Sequence, residues 1–456
     1  MPGWLTGGVA AIRISHGLRA PVGASNMPID RDVYIDYLAR CQQAFRPFAP
    51  IDLPRFFQGR QAHVDNLRSE LAKPGRQVAI YGERGVGKTS LAQLAYFFAK
   101  FDDEKTYFVR CGHESNYETI FGQVLMQAGL AYLPNGTESE SKSSGALKVG
   151  PFSALKAQAI RARHQAIDAA RSVGPATLLR VLEHRQGLVI LDEYDRVRDQ
   201  STHVKLAETL KHFSDAAAET KIIVVGTAET LAELIGEHQS LTRCLAQIKL
   251  DRMTHDELAE IIRTGEEHIG VAFKEGIRKR IVDLADGFPF YVHLLCNYCA
   301  EEAGKVLDET PAASVVVSEV EYRKALRKAI DTAESTLRES YLAAVITLKR
   351  KTEMYKCILW GLAYAEPLEV QVRDLADNIG LLTGEKPKIA SLNNYLGPLT
   401  KAEKRHVLAR VRQGYYKFTN PLMRAYVRLI LDEFNIMEMD GQMQFPWMRG
   451  VKSSSA

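Results

Sequence analysis

Eight residues, Gly82-Glu83-Arg84-Gly85-Val86-Gly87-Lys88-Thr89, carry the spacing GxxxxGK[ST], and Ser90 follows them. Glycines at these places let successive backbone N–H groups face one way and wrap an anion. Lys88 supplies a cation for β- and γ-phosphates, and Thr89 a hydroxyl for Mg2+. The chemistry this predicts is binding and hydrolysis of ATP with Mg2+. Asp192 lies 104 residues after Lys88, in the run Asp192-Glu193-Tyr194-Asp195. Asp192 is expected to hold Mg2+, and Glu193 to orient and polarise the attacking water. The alternative is that these acids cap the next segment. Asp195 reads as a supporting group. Thr227, after a further apolar run, is placed to touch the γ-phosphate or that water, or else is a turn residue.

These residues need a scaffold. Arg76–Tyr81 reads as a buried strand running into the glycine loop, and the apolar-periodic SLAQLAYFFAK as the helix leaving it. Gly187–Leu191 and Lys221–Val225 are continuous apolar runs of the kind buried on both faces of a parallel sheet. Ala246–Leu250 is expected to be a fourth strand. The class is α/β: a phosphate-loop core on a parallel sheet, with a helical lid and a C-terminal domain.

The chain has 456 residues, 46% hydrophobic and 25% charged, which excludes a disordered polyampholyte and suggests two to four domains. No apolar run reaches about 18 residues, so no membrane span is expected. Six cysteines make no disulfide framework, and a reducing cytoplasm is the expected setting. His293, Cys296 and Cys299 fall three apart on an apolar helix; a metal site would need a further ligand, and a buried helix face is preferred. Met27 is a candidate second start, making residues 1–26 a dispensable leader. Net charge is +4 but uneven: residues 341–456 hold 17 Lys and Arg against 11 Asp and Glu. That is a pointer toward phosphate-bearing partners.

The order of motifs resembles the AAA+/STAND group of P-loop ATPases, with Orc1/Cdc6-like initiators as close relatives, over about residues 50–434. Pro54-Arg55-Phe56-Phe57-Gln58-Gly59-Arg60 is similar to the segment that lines the adenine pocket there, which implies a base contact for Arg60. Gly287-Phe288-Pro289 looks like the GxP motif of STAND proteins and implies that Pro289 packs near the base. Arg243, just ahead of the fourth strand, occupies the place of the AAA+ arginine finger; a within-chain sensor or a surface salt-bridge partner is the alternative. The helix after Gly287 has His293 but none of the arginine that AAA+ lids carry, a departure toward the STAND pattern. The implied nucleotide contacts are Gly82, Glu83, Arg84, Gly85, Val86, Gly87, Lys88, Thr89, Ser90, Arg60 and Pro289. The implied catalytic groups are Lys88, Glu193, Thr227 and Arg243, with Thr89 and Asp192 on the metal.

The expected domains are an N-terminal extension (1–48), the ATPase core (49–250) with a polar insertion near 133–174, a lid (251–335) and a winged helix (336–456). The insertion ends in a basic, Ala-rich stretch that reads as a solvated helix, with a helix touching nucleic acid or a partner as the alternative. Glu353–Tyr364, Val370–Leu382 and Ile389–Glu403 read as helices. His406–Arg412 and Tyr415–Thr419 alternate around Gln413-Gly414 as a hairpin, and a last helix follows Pro421. YYKFTNPLMRAY resembles the end of the winged helix in archaeal-type STAND ATPases. Used on DNA, that fold would present Lys388, Asn393, Asn394 and Lys401 from its third helix, and Arg410, Arg412 and Lys417 from its wing. Packing on the ATPase is the alternative. The functional expectation is an ATP-dependent, homo-oligomeric switch acting on DNA, as in replication, transposition or defence against mobile DNA. Its rivals are a signalling ATPase that senses a ligand and activates a separate effector protein, and a nucleotide-binding scaffold without turnover.

Overall fold

The structure is a computed structural model, and it describes residues 31–99, 105–130, 173–228, 241, 243–333, 335–346 and 352–438. The leader before Met27, nearly all of the polar insertion and its basic stretch lie outside the described residues.

Five strands, β1 (Gln77–Gly82), β2 (Thr106–Arg110), β3 (Gly187–Asp192), β4 (Thr220–Thr227) and β5 (Leu245–Leu250), form one sheet in the order β2-β3-β4-β1-β5. Every neighbouring pair is parallel. The apolar runs are continuous because both faces are covered. Val78, Ile80, Leu188, Ile190, Ile223 and Val225 face one apolar layer, and Ala79, Tyr81, Val189, Leu191, Ile222 and Val224 the other. The second layer is closed by helices Tyr117–Gln127, Pro175–Leu182 and Gln200–Asp215. Because the strands run together, the loops after β1, β3 and β4 leave at one sheet edge. This brings the glycine loop, Asp192-Glu193 and Thr227 to a common place. β2 escaped the sequence reading: Thr106–Arg110 alternates between buried and half-exposed, as an edge strand does.

The helices that matter for the site are α1 (Arg31–Ala44), α2 (Gln61–Ala72), α3 (Lys88–Gln93), α4 (His255–Ile269), α5 (Glu275–Ala285) and α6 (Pro289–Gly304). α4 is opened by a capping box, Thr254 with Glu257, and stopped at Gly270 in the left-handed region. α6 starts at Pro289, whose missing N–H is no loss in a first turn. The short parallel pair β6 (Val271–Phe273) and β7 (Val315–Val317) ties this helical layer together ahead of α7 (Glu319–Thr332).

One expectation for the N-terminal side changes. α1 belongs to the helical layer, because the Tyr37 hydroxyl donates to the Ala300 carbonyl at 2.9 Å and Arg40 to that of Ile269 at 2.8 Å. Its buried Tyr37 and Cys41 fix it there, so part of the segment expected as an extension is packed structure.

The C-terminal third holds helices Ser335–Val345, Thr352–Tyr364 and Val372–Thr383, then α8 (Ile389–Leu399) and α9 (Leu422–Glu438). A three-stranded antiparallel sheet, ordered β8-β10-β9, is built from β8 (Val370–Gln371), β9 (Leu408–Arg412) and β10 (Tyr415–Phe418). Val370 and Gln371, expected as helix, pair with β10 instead. α8 stops at Leu399 rather than Glu403. Pro398 interrupts its last turn, and the Thr400 hydroxyl caps the Gly397 carbonyl at 2.8 Å. Lys401 therefore lies beyond the helix expected to carry it. Lys388 precedes the helix, and Asn393 and Asn394 lie exposed on it.

Candidate functional site

A cavity of about 740 Å³ opens where the carboxyl ends of β1, β3 and β4 meet the helical layer. One end is made by Arg84–Ser90, Asp192, Glu193, Asp195, Gly226 and Thr227. The other is apolar, made by Pro47–Ile51, Met253, Ile261, Pro289 and Phe290. A phosphate chain suits the first end and a flat base the second.

The phosphate end is built by close approach. Gly82 has φ +144, and a Cβ there would collide with the Leu250 carbonyl on β5. Only glycine lets the chain leave the sheet at this point. The loop then turns through left-handed Gly85 and Gly87 into α3. Lys88 is 8% exposed, and its ammonium donates to the loop's own Gly82 and Glu83 carbonyls at 3.0 and 2.7 Å. Burial pushes its pKa down to about 8, so it is a cation held away from solvent whose direct partners among the described residues are carbonyl dipoles. An entering phosphate replaces those weak acceptors with full charge.

Beneath it the Thr89 hydroxyl lies 3.1 and 3.3 Å from the two carboxylate oxygens of Asp192. Burial raises the Asp192 pKa, opposed by the Glu193 N–H and the Thr89 hydroxyl. A hydroxyl beside a buried carboxylate is a hard-oxygen donor pair, and it fits Mg2+ completed by phosphate and water. Among the described residues no group of three or more His, Cys, Asp or Glu side chains is placed to hold a metal. His293, Cys296 and Cys299 are buried in α6.

Glu193 sits in the left-handed region, φ 54, at the turn after β3, and its carboxylate is paired with Arg196 at 2.7 Å. A non-glycine residue held there marks a constrained turn, and such turns gather at functional sites. Asp195 accepts from the Thr227 backbone N–H at 2.8 Å, joining the exits of β3 and β4.

Other expected residues have different surroundings. Arg60, 3% exposed, donates to the carbonyls of Val86 at 3.2 Å and Asp251 at 2.6 Å. Its guanidinium is thus spent bracing the glycine loop against the end of β5, although the residue lines the cavity. Ser90 lines it too, and its hydroxyl accepts from the Ile51 N–H at 3.1 Å, fixing the apolar wall to α3. Arg243 is not brought to the cavity of its own chain. It precedes β5 at the far sheet edge, exposed, with its carbonyl bound by the Arg76 side chain. Six strand residues, roughly 20 Å, separate it from the loop, because a residue before a parallel strand emerges opposite one that follows its neighbour.

The sequence reading missed an ionic relay leaving the glycine loop. Arg252, just after β5, pairs with Glu83 at 2.6 Å and with Asp286 at 2.7 Å. Asp286 in turn meets Arg428 of α9 at 3.0 Å and Arg424 at 3.8 Å. The Tyr291 hydroxyl donates to the Leu422 carbonyl at 2.8 Å, and a Cβ on Gly85 would touch the Leu422 side chain. The signal for this was in LMRAYVRLILDE, where Arg424 and Arg428 interrupt an apolar helix face at i, i+4.

With this geometry in place, three comparisons bear on the chain. A family model described as Novel STAND NTPase 1 matches residues 43–310. The structure is similar to that of the Aeropyrum pernix ORC2 protein in ADPNP–ADP complexes, at 14% identity over 87% of this chain and 98% of that one, with TM-score 0.46. It is also similar to a Walker-type ATPase of Pyrococcus abyssi (17% identity, 84% and 99% covered, TM-score 0.44). A third similar structure is the Aeropyrum pernix ORC1 protein in complex with DNA (14%, 87% and 97%, TM-score 0.42). No curated protein matches the sequence.

Proposed function

Because the chain belongs to the Novel STAND NTPase 1 family, we propose that it is an ATP-operated switch whose nucleotide site governs a C-terminal winged helix. The observation that carries this reading is the relay Glu83–Arg252–Asp286–Arg428, which ties the phosphate loop to the last helix through paired charges. In this reading Lys88 and the loop N–H groups take the triphosphate, and Thr89 and Asp192 hold Mg2+. Bound there, Mg2+ would neutralise charge on the phosphates. Glu193 orients the attacking water once Arg196 releases it, Asp195 holds the exits of β3 and β4 together, and Thr227 faces the γ-phosphate. The core spans 49–250 with its insertion, the lid 251–335, and the winged helix 336–456. The setting is the cytoplasm, and among the described residues no helix is long and apolar enough to cross a membrane. ATP hydrolysis measured alone, with duplex DNA and with cell extract tests the reading. Absence of both nucleotide binding and turnover overturns it.

Turnover draws on a second copy of the chain. Arg243 lies exposed and far from its own site, so it serves a neighbour's leaving γ-phosphate. Arg243→Ala should bind ATP normally and hydrolyse it at least about tenfold more slowly, in line with arginine-finger losses. Mixing it with Lys88→Ala should partly restore turnover, since one subunit keeps the pocket and the other the arginine. A mixture that co-assembles and stays inactive excludes the role.

DNA is the favoured output because Arg410 and Arg412 stand exposed on the wing and Lys388, Asn393 and Asn394 on or beside α8. Changing Arg410, Arg412 and Lys417 together to Glu should weaken DNA binding for all sequences and flatten its salt dependence. Unchanged binding with altered basal ATPase would point to a protein effector, a reading favoured by the packing of α9 on the nucleotide site.

A further inference from the structure

Among the polar side chains lining the cavity that none of these roles uses, one is set deep in the helical layer. His293 lies one turn after Pro289 in α6, lines the cavity, and is 6% exposed. Its ring stands edge-on to Phe45 at 6.2 Å, and Phe45 leads directly into the Pro47–Ile51 wall. A Cβ on Gly265 of α4 would strike the Phe45 ring, so this wall has no slack. The imidazole is thus packed against this wall. Its Nδ1 is fully buried and has no hydrogen-bond partner among the described residues.

A buried ring nitrogen left unpaired is unfavourable by about 1–3 kcal/mol, and few such groups persist without a use. Burial pushes the His293 pKa down to about 4, so the ring is neutral near pH 7. It offers no charge to a phosphate; to a planar heterocycle it offers a neutral polar edge, donor or acceptor according to its tautomer. Purines carry hydrogen-bonding groups along an extended edge, and the flat apolar walls provide surfaces for stacking.

We propose that His293 is the base-reading residue of the nucleotide site, pairing with the edge of a purine held between Pro289 and the Pro47–Ile51 wall. This deepens the proposed function and rests on it. A site built to satisfy a hydrogen bond discriminates strongly, whereas an apolar slot alone does not.

Binding of MgATP, MgCTP and magnesium tripolyphosphate to the full chain separates the contributions, with thermal melting as the check on folding. The parent should prefer ATP over CTP. His293→Phe keeps the ring and removes its nitrogens. It should weaken ATP about tenfold, reduce the ATP-to-CTP preference and leave tripolyphosphate unchanged. His293→Gln, which returns a polar group, should recover part of the loss. Unchanged ATP affinity in a folded His293→Phe overturns the inference, and so does equal weakening of ATP and tripolyphosphate. If Phe unfolds the chain, Gln alone decides: loss confined to ATP supports the role, and an unchanged ATP-to-CTP ratio removes it. A parent that binds neither ATP nor tripolyphosphate overturns the nucleotide site itself and this inference with it. A parent that binds ATP while the His293 variants behave like it overturns the inference alone.

Discussion

Lys88→Ala should lose measurable ATP binding at concentrations that saturate the parent, while Glu193→Gln should bind ATP and turn it over at least about a hundredfold more slowly. The two substitutions separate binding from chemistry. Lys88 is held inside the loop by the Gly82 and Glu83 carbonyls, so its cation is already aimed and little ordering remains when phosphate arrives. Its burial also means that no solvent-exposed cation can replace it cheaply. Removing it takes away a cation already buried against the loop, which the loop dipoles and the more exposed Arg84 cannot replace in position. Glu193→Gln preserves shape and the left-handed turn while removing the base, and loss of a positioned general base is typically worth 10²–10⁴ in rate. The Arg196 pairing at 2.7 Å adds a second effect: a neutral amide frees Arg196, so affinity for the triphosphate should stay level or rise. Equilibrium binding and single-turnover hydrolysis read the two quantities. If Lys88→Ala binds ATP like the parent, the cavity is not the nucleotide site; if Glu193→Gln hydrolyses like the parent, another group activates water.

What could be read without coordinates was the part in which chemistry and local structure coincide. The glycine loop must follow a buried strand and open a helix, so β1, α3 and the roles expected of Lys88 and Thr89 came from one stretch. Gly187–Leu191 and Lys221–Val225 were legible because a parallel strand covered on both faces is apolar at every position. β2 alternates at the sheet edge and left no such signature. Arg60 shows the limit. It lines the cavity as its motif implies, but which way its guanidinium turns is decided by carbonyls distant in sequence, those of Val86 and Asp251. The relay is the clearest case, since Glu83, Arg252, Asp286 and Arg428 have no common spacing. Only the tertiary fold makes them neighbours.

That relay sets the second large expectation: Asp286→Asn should release α9 from the nucleotide core and speed nucleotide exchange at least about tenfold. Asp286 caps α5 in the left-handed region, φ 53, which asparagine also tolerates, so the backbone need not change. The charge does change. One carboxylate, 11% exposed, faces Arg252, Arg428 and Arg424, and burial already pushes the Arg424 pKa down to about 10. Without Asp286, Arg252 still has Glu83 at 2.6 Å, while Arg424 and Arg428 lose a carboxylate and keep backbone carbonyls such as those of Ala363 and Ala365. Breaking a buried ionic pairing from one side is typically unfavourable by about 3–5 kcal/mol. The contact between α9 and the core is where it can be relieved, because Arg424 and Arg428 can regain water by moving out. Relief by separation would expose the Leu422 contact with Gly85 and the Tyr291 bond to Leu422, both at the mouth of the phosphate loop. Hydrogen exchange should therefore rise over residues 422–433 and over 83–88 together, while β3 and β4 stay protected. Exchange of a fluorescent ATP analogue should quicken in parallel. Arg428→Met, which removes a cation instead of the anion, should give a smaller opening, since Asp286 still has Arg252. If Asp286→Asn melts the whole chain with protection lost uniformly, or leaves 422–433 as protected as before, the last helix is not held by this charge and the switch must work elsewhere.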